Sequence, residues 1–118
     1  MKARLYHNPR CSKSRSTLAL LTEKGVDFEV KEYLKNDLQP SEIKELSSKL
    51  ALPVRDILRS GEAPFKELGL ADQSLTEDQL IHAIVDNPIL LQRPILLTDS
   101  GARIGRPPEQ VLEVCDLD

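Results

Sequence analysis

The stretch richest in chemistry is Tyr6-His7-Asn8-Pro9-Arg10-Cys11-Ser12-Lys13-Ser14-Arg15. It leaves one regular element and enters a helix, so Cys11 is expected at or just before the helix N-terminus. Unpaired backbone N–H groups and the positive end of the helix dipole point there, and both favour a thiolate over a thiol. Arg10, Lys13, Arg15 and a charged His7 would add positive charge within a few residues, each opposing protonation of the sulfur. The same features make an anion pocket, because helix N-termini and arginines are the usual ligands of tetrahedral oxyanions. A cysteine that merely fills a core would be flanked by apolar residues, whereas Cys11 lies among Pro, Arg, Ser and Lys. It therefore reads as a nucleophile. Cys115, flanked by Val114 and Asp116, reads as a small apolar core residue.

What is absent narrows the chemistry. A dithiol of the thioredoxin kind would place a second cysteine at position 14, which is Ser14. The first resolving thiol must then come from elsewhere, such as glutathione or a partner protein. A phosphatase loop of the low-molecular-weight kind would need Arg at position 17, which is Thr17. The P-loop pattern for nucleotides is missing. Cys11 and Cys115 stand at opposite ends of the sequence, which excludes a paired-CxxC zinc site and argues against a structural disulfide.

The elements that hold this stretch are legible in the flanking sequence. Residues 3–6 and the apolar positions Val26, Phe28, Val30 and Tyr33 read as two strands, the second over 26–34. Residues 12–24 between them read as a helix with Leu18, Leu21 and Thr22 on one stripe and Gly25 placed to end it. Strand, helix and strand over about thirty residues make a βαβ unit, which favours parallel pairing with a right-handed crossover. Residues 40–51 are predicted helical, with Pro40 in the first turn and Ile43, Leu46 and Leu50 sharing a face. A short helix around Val54–Leu58 follows Pro53. Thr76-Glu77-Asp78-Gln79 has the form of a capping box and opens a helix carrying Leu80, Ile81, Ile84 and Val85, which stops before Asn87-Pro88. Residues 94–98 read as a strand, Asp99-Ser100-Gly101 as a turn and residues 102–105 as the return strand. Pro107-Pro108 starts a last helix with Val111, Leu112 and Cys115 toward the core.

The order is β-α-β, a helical block over about 38–90, then β-β-α. That is the order of an α/β thioredoxin-like fold, a mixed four-stranded sheet with a helical insertion between its halves; another α/β two-layer sandwich is the alternative from pattern alone. Length and composition agree with one domain over 1–118. The 118 residues are 40% hydrophobic and 30% charged, ordinary for a globular protein. A net charge of −3 argues against nucleic-acid binding by bulk charge. No apolar run is long enough to span a membrane, and the first residues carry no apolar leader, so a cytoplasmic location is expected. A monomer is expected, since no exposed apolar heptad is evident.

The signature His7-Asn8-Pro9-Arg10-Cys11-Ser12-Lys13-Ser14-Arg15 resembles that of the glutaredoxin- and glutathione-dependent arsenate reductases. The resemblance extends through Ile57-Leu58-Arg59, Phe65-Lys66-Glu67-Leu68-Gly69-Leu70, Asp86-Asn87-Pro88, Gln92-Arg93-Pro94-Ile95 and Ile104-Gly105-Arg106-Pro107, nearly the whole chain. It implies a thioredoxin-like fold, arsenate as substrate, glutathione as co-substrate, glutaredoxin as partner, and no metal or bound cofactor. It implies Cys11 as nucleophile, His7 as a catalytic residue that helps lower its pKa, and Arg59, Arg93 and Arg106 as the arginines that bind the oxyanion. Asn8, Ser14 and Arg15 of the signature are assigned to substrate binding with them, and Pro94 to the cis-proline beside the active cysteine. Arg103, in the same hairpin as Arg106, is assigned no role. Two other readings share the scaffold: a regulator of the Spx type that binds RNA polymerase, and a glutathione-dependent reductase of some other substrate. Spx-type regulators commonly carry a CxxC switch, which Ser14 breaks.

Overall fold

The computed structural model describes residues 2–35 and 37–115. Its sheet draws on two stretches of chain far apart in sequence. Strand β1 (Ala3–Tyr6) leads through a loop into helix α1 (Ser12–Glu23), and β2 (Glu29–Lys31) returns beside β1 in parallel, pairing Leu5 with Val30. Much later, β3 (Ile95–Thr98) and β4 (Gly101–Ile104) form a hairpin, and β3 pairs antiparallel with β1, Leu5 opposite Leu96. The strand order is β2-β1-β3-β4, a mixed four-stranded sheet. Strand alternation puts Ala3, Leu5 and Leu96 on one face. They pack with Leu21 of α1 and with Val111 and Val114 of a closing 3₁₀ segment, Pro108–Val114.

Between the halves of the sheet come α2 (Pro40–Leu50), α3 (Ala63–Glu67) and α4 (Glu77–Asp86), with 3₁₀ turns at Val54–Ile57 and Pro88–Leu90. The chain divides into two compact units. One holds residues 1–33 and 93–118, the other 34–92. The second unit has its own apolar residues, among them Ile43, Leu46, Val54, Ile57, Leu80, Ile81, Ile84, Leu90 and Leu91, all buried. Thr76 caps α4 as its sequence implied: its hydroxyl accepts the Gln79 N–H, while the Gln79 side chain accepts the Thr76 N–H.

Several expectations need correction. The second strand is three residues long rather than spanning 26–34, and Val30 is 45% exposed. β2 is an edge strand with a partner on one side only, so little covers it, while Tyr33 turns into a 3₁₀ segment and is buried. The buried side of α1 is formed by Ser14, Thr17 and Leu21, with Thr22 exposed. The last segment is a 3₁₀ helix, and its tighter turn brings Val114 rather than Cys115 fully inward. Helix α3, with Pro64 in its first turn, escaped the periodicity because five residues do not complete a pattern. Among the described residues no helix is long and apolar enough to cross a membrane.

Candidate active site

Cys11 is the N-cap of α1, in extended conformation. The loop that delivers it is tied into shape by its own residues. The Cys11 N–H donates to the Asn8 carbonyl at 3.0 Å, and the Arg15 N–H donates to the Cys11 carbonyl at 3.0 Å. The Asn8 side-chain oxygen accepts the Arg10 N–H at 3.0 Å, an Asx turn. Ser14 is fully buried; its hydroxyl accepts the Asn8 N–H at 3.0 Å and lies 2.6 Å from Nδ1 of His7. With that acceptor role filled, the Ser14 O–H is available to donate to Nδ1, which suits a neutral imidazole.

Burial is the largest influence on His7 and pushes its pKa down; Glu32 opposes this and Arg15 adds to it, and the net shift is downward. His7 therefore enters the site neutral at physiological pH, not as the extra cation its sequence neighbours suggested. It acts on the loop through Ser14. Asn8 and Ser14, assigned to substrate binding by the resemblance, are hydrogen-bonded within the loop. Arg15 is exposed and its guanidinium donates to the Pro9 carbonyl at 2.9 Å, so it too braces the loop.

The sulfur's surroundings come from three directions. Burial alone would raise the Cys11 pKa, yet the net shift is downward, because the Ser14 N–H, the Arg93 guanidinium and the Lys13 N–H all favour the anion. Arg106 adds an N–H at 3.6 Å from Sγ. Arg106 is itself held by a second bond, from its Nε to the Arg93 carbonyl at 2.8 Å. The Arg93–Pro94 peptide is cis, as is Arg106–Pro107. The other cysteine differs: burial pushes the Cys115 thiol up, and its Sγ faces the Val111 carbonyl at 3.3 Å. Cys115 stays a thiol.

Arg59 lies in the second unit. Its N–H donates to the Leu90 carbonyl at 2.8 Å, and its guanidinium donates to the Gln92 side-chain oxygen at 3.1 Å, with Glu62 3.8 Å away. Arg103 pairs with Glu113 at 2.9 Å, an ordinary surface ion pair. Among the described residues no three His, Cys, Asp or Glu side chains gather as a metal site would need. What the arrangement can do is hold a thiolate at a helix N-terminus with the Arg93 and Arg106 guanidinium groups close by, a setting that suits an oxyanion.

The ArsC family model matches residues 6–114. The chain belongs to the ArsC family. It is 51% identical over 114 residues to the uncharacterized protein YfgD of Escherichia coli K12, covering 96% of each chain. It is 45% identical over 109 residues to an arsenate reductase of Neisseria meningitidis, covering 92% of this chain and 93% of the other. Its structure superposes on that of an arsenate reductase from Vibrio cholerae with a TM-score of 0.92 at 46% identity, covering 97% and 98% of the two chains. The mixed sheet with its helical insertion is thus the thioredoxin-like fold of this ArsC family.

One residue that sequence reasoning passed over also stands at the site. In sequence Gly105 merely ends the return strand and precedes Arg106, yet in the fold its N–H donates to the Pro94 carbonyl at 2.9 Å. The available signal was its position directly before Arg106.

Proposed function

We propose that this ArsC family protein is an arsenate reductase in which the Cys11 thiolate attacks arsenate and glutathione with glutaredoxin completes the cycle. The observation that carries the reading is Cys11 at the N-cap of α1, its pKa lowered, with the Arg106 guanidinium 3.6 Å from the sulfur. Relatives named arsenate reductase support the choice of substrate. In the first step an S–As bond forms and an As–O bond breaks, the oxygen leaving as water after taking up a proton. Arg93 and Arg106 offset the negative charge that two anions bring together. A glutathione thiolate then attacks the Cys11 sulfur. The S–S bond forms, the S–As electron pair stays on arsenic, and arsenic(V) leaves as arsenic(III). Glutaredoxin takes the glutathionyl group from the mixed disulfide and frees Cys11.

The test is a coupled assay following NADPH oxidation with glutathione reductase, glutathione, glutaredoxin and arsenate. Wild-type protein is expected to turn over in an arsenate-dependent way, and Cys11→Ser to lose that turnover, because a serine alkoxide is not available at neutral pH. Near wild-type turnover in Cys11→Ser would overturn the mechanism.

A further inference from the structure

We propose that Gly105 is a positioning residue, whose missing side chain lets the end of β4, the Arg93–Pro94 loop and the first turns of α1 close together around Cys11. A Cβ built on Gly105 would lie 2.6 Å from Thr17 Oγ1 and 2.8 Å from Pro94 Cγ, with Thr17 Cγ2 at 3.4 Å. The first two distances are shorter than non-bonded atoms tolerate, so any side chain there must push something away. Neither neighbour yields easily. Thr17 is buried, and its hydroxyl is committed to the Lys13 carbonyl at 2.8 Å. Pro94 is a buried ring whose carbonyl accepts the Gly105 N–H at 2.9 Å.

Each contact leads to a group that faces the sulfur. Thr17 is bonded to Lys13, and the Lys13 and Ser14 N–H groups favour the Cys11 anion. Pro94 follows Arg93, whose guanidinium favours the same anion. Arg106 follows Gly105 directly, donates to Cys11 Sγ at 3.6 Å and is tethered to the Arg93 carbonyl at 2.8 Å. A wedge at Gly105 therefore spreads all three groups at once. Charge–dipole and charge–charge attraction weaken with each added fraction of an ångström, and the thiolate loses its support.

The inference rests on Cys11 acting as a thiolate and not on arsenate as the substrate, and its test uses no oxyanion. The rate of Cys11 alkylation by iodoacetamide is followed against pH in Gly105→Ala and in wild type, with Cys115→Ser in both backgrounds to leave one thiol. Folding is checked by circular dichroism and thermal melting. Gly105→Ala is expected to raise the midpoint of the alkylation profile by about one pH unit, which lowers the thiolate fraction well below the midpoint roughly tenfold. Gly101→Ala serves as the comparison, since its φ of +143° strains any side chain at the start of β4, away from Gly105. It should lower the melting temperature without moving the midpoint. The double variant Gly105→Ala with Thr17→Ala removes the nearest clash at its source and should recover part of the shift relative to Thr17→Ala alone; it also carries the comparison should Gly105→Ala not fold. A folded Gly105→Ala with the wild-type profile, or a double variant shifted as far as the single one, would overturn the proposal.

Discussion

A thiol as shielded as Cys11 should resist ionisation, because burial penalises the charged form. Its pKa is nonetheless lowered, so the N–H groups of Ser14 and Lys13 and the Arg93 guanidinium together outweigh the burial penalty. The imbalance makes the sulfur's charge a part of the folding equilibrium. In the unfolded chain the thiol keeps its proton up to about pH 8.5. In the folded protein it gives the proton up at lower pH, so between the two pKa values the unfolded state binds more protons and stability rises with pH. The contribution is fully present above about pH 8.5 and is lost as pH falls through the folded pKa. Thermal melting of wild type and Cys11→Ser across this range should show a difference that grows in favour of the wild type as pH rises. A difference independent of pH would mean that the fold does not stabilise the thiolate. Much of this was legible in the order of residues, since a helix N-terminus and nearby arginines can be read from spacing. The neutral His7 could not be read, because its state depends on burial and on a Ser14 hydroxyl seven residues away. Nor could Gly105, whose neighbours Thr17 and Pro94 come to it only through the fold.

At the scale of elements, local signals were strongest where a side chain caps a helix in the expected way. Thr76 announced α4 because Thr is a preferred N-cap and Gln79 stands three residues later. Gln39 caps α2 with Glu42 in the same reciprocal arrangement, yet Gln is not a residue that signals an N-cap, so the box was silent in the sequence. The other end of α2 is less well served. Ala51 ends it in the left-handed region, φ 58° and ψ 38°, with Leu52 N–H donating to the Ser47 carbonyl at 3.1 Å. A residue with a Cβ costs roughly 1–2 kcal/mol in that conformation, and glycine avoids the cost while losing more entropy on folding. Ala51→Gly should therefore stabilise the protein by about 0.5–1 kcal/mol, read as a rise in the denaturant midpoint at unchanged slope. A destabilised Ala51→Gly would mean that the loop after α2 tolerates Ala51 without strain. The limits of β2 were misjudged for a different reason. Alternation counts apolar residues but cannot tell an edge strand, whose Val30 stays exposed, from a central one.

At the scale of the whole molecule, the order of elements was readable because turn residues and periodicity separate cleanly along the chain, but the division of labour between the two units was not. The unit of residues 1–33 and 93–118 contains the α1 N-terminus, Arg93 and Arg106, which favour the Cys11 anion or approach its sulfur. His7 follows β1, Arg93 precedes β3 and Arg106 follows β4, so β1 and the β3–β4 hairpin bring the site together. Ile84 sits fully buried in α4, within the other unit. Ile84→Val removes one methylene from that core and should cost about 0.5–1.5 kcal/mol, measured by denaturant unfolding. If the ionisation of Cys11 belongs to the sheet unit, the variant loses this stability while its alkylation profile against pH keeps the wild-type midpoint. A midpoint that moved with Ile84→Val would mean that packing in residues 34–92 reaches the sulfur. The thiolate would then be set by the chain as a whole rather than by the strand ends and the helix that surround it.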